Sequence, residues 1–245
     1  MTETFWKFRD TGRRTYAART VAAAYPSSVP RQSRRRAIPS QEPSYDPLTR
    51  IELGRSVVNA LLGRPCGRLP PEPFGGIGVY AIYYHGPFDL YGPISAKDCA
   101  TPIYVGKAIP RGGRKGLAGL GAHATKELFN RLRDHADSIN AAENLDLKDF
   151  SCRYLVVDDV WIPLAENLLI AQAPPLWNYV VTGFGSHAVG GKREEGALSA
   201  WDTIHPGRPD SKKLAPGKLT RDQIRGRIRE FFAKGPTAAR GAPET

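Results

Sequence analysis

Cysteine is scarce in this chain, and its spacing excludes the common scaffolds built on cysteine. The three cysteines among 245 residues, Cys66, Cys99 and Cys152, lie far apart and are odd in number. None of them forms a CxxC pair, so the sequence predicts neither a zinc knuckle nor a disulfide framework. This usage fits a reducing cytoplasm.

Long apolar runs are also missing. The N-terminus has no apolar stretch of the signal-peptide kind, and no segment approaches the roughly 18 successive apolar residues of a membrane span. We therefore expect a cytoplasmic protein without a signal peptide.

Residues 110–122 are rich in glycine and basic side chains but lack the GxxxxGK[ST] spacing, which argues against a P-loop and favours a loop contacting a DNA backbone.

Acidic side chains are outnumbered by basic ones, and the excess lies at the two ends. The chain has 35 Lys and Arg against 24 Asp and Glu, a net charge of +11 and a pI of about 9.7. Residues 1–40 carry +7 and residues 206–245 carry +6, whereas the segment between them carries −2. A basic globular protein most often binds nucleic acid or another anionic surface. We expect a catalytic core with cationic arms that neutralise phosphates.

Breakers and apolar periodicity divide the chain into three parts of one compact domain: a basic arm over 1–45, a core with a preceding helix over 46–182, and an extension over 183–245. Residues 85–101 and 183–210 are predicted to be irregular. Thr125 is predicted to cap the second helix, and Thr220 and Gln223 to form a capping box for the last. The predicted helices are a first helix from Asp46-Pro47 to Gly63, then 125–140, 163–173 and 221–234, and the predicted strands are 77–84, 102–107 and 152–158.

Two short tyrosine signatures, Gly78-Val79-Tyr80 and Tyr104-Val105-Gly106, lie on strand-like runs. Strand alternation places Tyr84 on the same face as Tyr80, and Tyr83 on the other face. Each candidate residue taken alone has an ordinary structural interpretation, but their occurrence together and in order favours a site that cuts phosphodiesters. The candidate catalytic residues are Tyr80, Tyr104, Arg131, His135, Glu166 and Asn178.

These residues, in order and approximate spacing, resemble the GIY-YIG nuclease superfamily over residues 77–180, with valine in place of isoleucine in both signatures. The flanks resemble the type II restriction endonuclease branch, and within it the enzymes that cut CCGCGG. The resemblance implies an α+β fold, in which a small three-stranded antiparallel sheet is flanked by helices and carries basic N- and C-terminal extensions.

The resemblance also implies roles for the site residues. Glu166 would hold one Mg²⁺, which Mn²⁺ can replace, and Arg131 would bind phosphate oxygens through its planar guanidinium. Tyr104 would orient the attacking water or hold the phosphate. Asn178 would hydrogen-bond the phosphate or brace a neighbouring group.

Proton transfer is the difficult part of this chemistry. Tyr80 is the expected general base for water, but a free phenol with a pKa near 10 is a poor base at neutral pH. His135, four residues after Arg131 and on the same helix face, is the natural acceptor for the proton of Tyr80. The four remaining histidines, His85, His123, His187 and His205, lack such a context and receive no role.

Cutting a palindrome implies double-stranded DNA as partner and a homodimer whose two-fold axis matches that of the DNA. The resemblance also implies a companion methyltransferase. A GIY-YIG nuclease of the repair or homing type, and a catalytically silent DNA-binding protein, are the alternatives. The candidate DNA contacts are basic residues of the core loops and of the N-terminal arm: Lys107, Arg111, Arg114, Lys115, Lys192, Arg193, Arg34, Arg35 and Arg36.

Overall fold

The computed structural model describes residues 50–109, 125–185 and 196–234. Its centre is a sheet of four antiparallel strands in the order β1-β4-β2-β3. The strands are β1 (Gly67–Arg68), β2 (Gly78–Tyr84), β3 (Pro102–Ala108) and β4 (Phe150–Val156).

The predicted α+β class is confirmed, but the sheet has four strands where three were expected. The additional strand, β1, has only two residues, and glycine and arginine give no β-type sequence pattern. The pairing of Gly67 with Cys152 is a long-range contact, so the sequence around β1 does not predict it.

Six α-helices belong to the described residues: α1 (Arg50–Leu62), α2 (Glu127–Asn140), α3 (Ile162–Gln172), α4 (Leu176–Tyr179), α5 (Ala200–Ile204) and α6 (Arg221–Lys234). The capping box of α6 is confirmed, because the backbone N–H of Thr220 donates to the Gln223 side chain at 2.8 Å and that of Gln223 to the Thr220 hydroxyl at 3.3 Å.

Two predictions about helices were wrong. Lys126, not Thr125, occupies the N-cap of α2, because the Thr125 carbonyl accepts a hydrogen bond from Gly76 N and ties that residue to the chain before β2. Helix α5 lies inside the stretch expected to be irregular. It forms because Ser199 and Asp202 make a capping box, which satisfies donors at the start of the helix.

The sheet separates two apolar clusters. On one face Tyr80, Ile82 and Tyr84 of β2 pack in the cluster that contains the apolar side of α2. On the other face Val79, Ala81 and Tyr83 pack with residues of α1 and α3. This alternation agrees with the prediction from the sequence. The first cluster also contains Trp201, Ile204, Ile224 and Ile228, so residues from 196–234 belong to the same core as the sheet.

A disulfide joins Cys66 and Cys99, contrary to the expectation from cysteine spacing. Cys66 directly precedes β1, and the carbonyl of Cys99 accepts a hydrogen bond from Arg153 of β4, so the sheet brings the two cysteines together across 33 residues. Cys152 is free, and burial raises the pKa of its thiol to about 12. The cysteines therefore give no argument for a reducing compartment.

Several predictions lie outside the described residues: the basic arm over 1–45, the start of the first helix at Asp46-Pro47, and the glycine-rich loop over 110–122. Within the part of the chain that is described, no helix has the length and apolar character needed to cross a membrane.

Candidate active site

A tyrosine and a histidine form the centre of the site. Tyr80 lies on β2, an inner strand of the sheet, and His135 lies on α2, which packs against the same face. The Tyr80 hydroxyl is 2.6 Å from His135 Nε2, and neither residue is exposed to solvent. At this distance the two groups share a short hydrogen bond through which a proton can pass.

The second signature places Tyr104 beside this pair. The ring centroid of Tyr104 is 6.2 Å from that of Tyr80 and 5.2 Å from that of His135. Gly106 lies opposite Tyr80 in the β2–β3 register, and a Cβ there would be 2.4 Å from the Tyr80 hydroxyl oxygen. The glycine of the second signature therefore makes room for the hydroxyl of the first.

Arg131 lies one helical turn before His135. Its Nη2 donates a hydrogen bond to the carbonyl of Gly185 at 2.6 Å. The preceding Phe184 stacks on the imidazole of His135, with centroids 4.5 Å apart and planes inclined by 17°. Residues 183–185, hereafter the 183–185 loop, thus form one wall of the site and hold the guanidinium.

Glu166 on α3 supplies a carboxylate to the site. Its Oε2 is 2.7 Å from Nζ of Lys107, which directly follows the second signature, and its side chain is 16% exposed. Burial is the main cause of the raised pKa of Tyr80 and of Tyr104, and the negative charge of Glu166 adds to it at both hydroxyls.

The donor set is compatible with a single hard cation. Among the described residues no group of three His, Cys, Asp or Glu could hold a metal. Mg²⁺, however, commonly binds proteins through one or two carboxylates and keeps several waters. Glu166 fits that requirement, since its accessible carboxylate already attracts the ammonium group of Lys107.

Burial governs the acidity of the two phenols. It raises the pKa of Tyr80 well above its ordinary value, and Tyr104 adds to this effect while Arg131 opposes it. Burial likewise raises the pKa of Tyr104, again opposed by Arg131. Both hydroxyls therefore carry their protons at neutral pH. Tyr80 can accept a proton from water only if it releases its own, and His135 Nε2 is placed to receive it.

Asn178 on α4 lies at the outer edge of β3. Its Oδ1 accepts a hydrogen bond from Val105 N at 2.9 Å, and its Nδ2 donates to Val105 O at 2.8 Å. The side-chain amide thus pairs with the strand as another strand would. Of the two expected roles, this geometry is that of a brace for the strand that carries Tyr104.

The structure brings five of the six predicted catalytic residues to one cleft, and Asn178 supports it from the edge of the sheet. Lys107 is the one predicted DNA contact among the described residues, and it lies in the cleft. The other predicted DNA contacts lie outside the described residues: Arg34, Arg35, Arg36, Arg111, Arg114, Lys115, Lys192 and Arg193.

Sequence reasoning missed the 183–185 loop. It lies in the stretch predicted to be irregular, and its contacts to Arg131 and His135 cross about 50 residues of chain. The two glycines of the loop were a signal. Gly183 has a φ of +101°, and a Cβ on Gly185 would be 2.3 Å from the Tyr104 hydroxyl oxygen.

The fold and the site together define a nuclease domain of the GIY-YIG type. They combine two tyrosines on adjacent antiparallel strands, an arginine and a histidine on one helix face, and one glutamate, all around a small sheet. The model of the Eco29kI GIY-YIG domain matches residues 72–232, more than half of the sequence, and the chain belongs to this family of type II restriction endonucleases. No curated protein sequence matches the chain.

Proposed function

We propose that this protein is a Mg²⁺-dependent type II restriction endonuclease that hydrolyses both strands of palindromic double-stranded DNA, with CCGCGG as its site. It acts as a homodimer in the cytoplasm, beside a methyltransferase that protects the same sequence. The observation that carries the proposal is the 2.6 Å contact between the Tyr80 hydroxyl and His135 Nε2, with Arg131 and Glu166 acting on the same cleft.

The attacking water is activated by a relay of two proton transfers. Water gives a proton to the Tyr80 oxygen while the phenolic proton moves to His135 Nε2, so that no free phenolate accumulates. The hydroxide attacks phosphorus and the bond to the 3′ oxygen breaks. The leaving oxygen takes a proton from solvent, and His135 later returns its proton to solvent through Tyr80. This route is consistent with the raised pKa of the buried Tyr80.

Charge in the transition state is met by groups on two helices. Arg131 of α2 presents a planar guanidinium with several hydrogen-bond donors to the phosphate oxygens. Glu166 of α3 would hold the metal ion, which would supply positive charge for the phosphate and the departing oxygen. Lys107, released from Glu166, adds a further positive charge near the scissile group.

The test is digestion of DNA of known sequence with Mg²⁺, followed by mapping of the ends. The proposal expects discrete fragments whose ends all fall at CCGCGG, and no cutting when that sequence is methylated. Discrete ends at another palindrome would overturn the site but keep the class of enzyme. Scattered nicks would point to a repair-type nuclease, and intact DNA at all Mg²⁺ and Mn²⁺ concentrations would exclude nuclease function.

Tyr80→Phe tests the relay because it removes one oxygen and keeps the buried ring. We expect single-turnover cleavage to fall at least about 10²-fold, the usual contribution of a general base, with DNA affinity unchanged. Tyr84→Phe is the matched control. Tyr84 lies on the same strand face, but its hydroxyl accepts a hydrogen bond from Phe88 N outside the site. Equal cleavage by both variants would contradict the relay.

The proposed dimer is tested by analytical ultracentrifugation with and without a short duplex that carries one site. A palindromic site read by a two-fold symmetric enzyme requires two chains per duplex. One chain per duplex at saturation, with both strands still cut, would contradict this part of the proposal.

A further inference from the structure

We propose that Arg208, a residue far along the chain from both tyrosine signatures, is a positioning residue for Arg131. It acts by locking the 183–185 loop, and the inference rests on the proposed nuclease function. The hydrogen bonds of Arg208 reach Asp202 and the carbonyls of the 183–185 loop. Its effect on the reaction is transmitted through backbone carbonyls.

The lock is built on a buried ion pair. Asp202 of α5 and Arg208 contact each other with Oδ1 2.7 Å from Nε and 2.6 Å from Nη2, and their side chains are only 1% and 8% exposed. The guanidinium also lies over the Trp201 ring, 4.5 Å from its centroid. Two contacts from one planar group to one carboxylate oxygen fix the plane of the guanidinium, so its remaining donors point in a set direction.

Those donors hold the loop. Arg208 Nη1 donates to the carbonyl of Phe184 at 3.1 Å, and Nη2 donates to the carbonyl of Gly183 at 3.2 Å. Ser199, which is hydrogen-bonded to Asp202, packs so tightly against Gly183 that a Cβ there would be 2.2 Å from the Ser199 Cβ. Two successive residues of the loop are thus fixed from the side of α5.

The same loop contacts the site on its other side. The next carbonyl along the chain, that of Gly185, accepts the hydrogen bond from Arg131 at 2.6 Å, and the Phe184 ring stacks on His135. A movement of the loop therefore moves the acceptor that orients the guanidinium. Misplacement of a catalytic group by about 1 Å can cost about 10²-fold in rate, so a lock of this kind bears directly on cleavage.

Arg208→Lys separates positioning from simple structural support. Lysine keeps the charge opposite Asp202 but has no planar fork, so it cannot hold Asp202 and two carbonyls together. We expect the variant to fold and to bind DNA with wild-type affinity, while single-turnover cleavage at saturating DNA falls at least tenfold. Arg55→Lys, at an exposed arginine of α1, is the matched control and should cleave like the wild type.

A double-mutant cycle with Arg131→Lys tests the route. If Arg208 acts through Arg131, Arg208→Lys costs much less in the Arg131→Lys background than in the wild type, because the oriented group is already lost. Full multiplication of the two rate losses would overturn the proposal, since it would mean that the two arginines act independently.

A second measurement does not depend on cleavage. With ¹⁵N-arginine labelling, the Nη–H signals of Arg131, assigned by their loss in Arg131→Lys, report rotation of the guanidinium. We expect faster rotation in Arg208→Lys and no change in Arg55→Lys. Unchanged Arg131 signals would overturn the positioning role even if the wild type cut no DNA, whereas absent wild-type cleavage alone would overturn only the proposed function.

Discussion

Replacing Asn178 by leucine distinguishes a brace from a phosphate ligand. In the structure the Asn178 amide satisfies both backbone groups of Val105, a residue with no exposure to solvent. Leucine would leave one buried N–H and one buried C=O without these partners. Each such orphan costs about 1–3 kcal/mol, so we expect a loss of about 3 kcal/mol in the free energy of unfolding.

A loss of that size is large for a domain whose total stability is about 5–15 kcal/mol. For a chain of this length it lowers Tm by roughly 6–12 °C. Asn178→Asp should be at least as informative, because a carboxylate can still accept from Val105 N but faces Val105 O with no donor. Unfolding by heat and by guanidinium, followed by circular dichroism, measures both variants against Asn140→Leu at an exposed asparagine that ends α2.

The brace predicts that stability falls first and that cleavage falls with it, since Val105 is the neighbour of Tyr104. A phosphate ligand would behave differently, because its loss abolishes cleavage and weakens DNA binding without lowering Tm. Wild-type stability in Asn178→Leu would therefore refute the bracing interpretation.

Three further predictions follow from single contacts. Burial and two nearby arginines lower the pKa of His205 to about 3 in the folded protein, against 6.5 when exposed. The stability that this histidine contributes above pH 6.5 is therefore lost as the pH falls below that value, and guanidinium unfolding should show a loss of about 2 kcal/mol between pH 7 and pH 5. His205→Gln should flatten this pH dependence. Gly106→Ala should abolish cleavage, since its Cβ would lie 2.4 Å from the Tyr80 hydroxyl oxygen, whereas Gly92→Ala, where a Cβ meets nothing within 4 Å, should cleave normally. Lys107→Met should lower the Mg²⁺ concentration for half-maximal cleavage by up to about five-fold, because the half-exposed ammonium no longer competes for Glu166; an unmoved midpoint would contradict this competition.

Local patterns predicted the elements that carry the chemistry. The alternation of Val79 to Tyr84 gave the correct faces of β2, and the spacing of Arg131 and His135 placed both on one side of α2. The capping box of α6 was visible because its two side chains are three residues apart. Each of these features depends on contacts within a few residues, which is the range over which a sequence pattern is informative.

The features that were missed depend on contacts across long stretches of chain. A buried hydrogen-bond network joins Trp177, Tyr91, His205 and Asn144. Tyr91 and His205 are 114 residues apart in the chain, so the sequence around His205 gave no sign of its partners. Its tautomer follows from the partners: Nδ1 donates to the Asn144 carbonyl oxygen, and Nε2 accepts from the Tyr91 hydroxyl. The Cys66–Cys99 disulfide and strand β1 were not predicted either, because both depend on contacts between residues far apart in the chain.

The pairing of Asn178 with Val105 also limits how two copies of the protein can meet. β3 and β1 are the outer strands of the sheet, and an open outer strand is the usual place where a second chain extends a sheet. On β3 the Asn178 amide already occupies both backbone groups of Val105 at mid-strand, and β1 is only two residues long, with Pro70 two residues after Arg68. Within the described part of the chain, neither border of the sheet therefore offers a long, unbroken row of free backbone groups to a partner. The proposed two-fold assembly on DNA would therefore be built from side-chain surfaces, and mutations that test it should be sought on helices and loops.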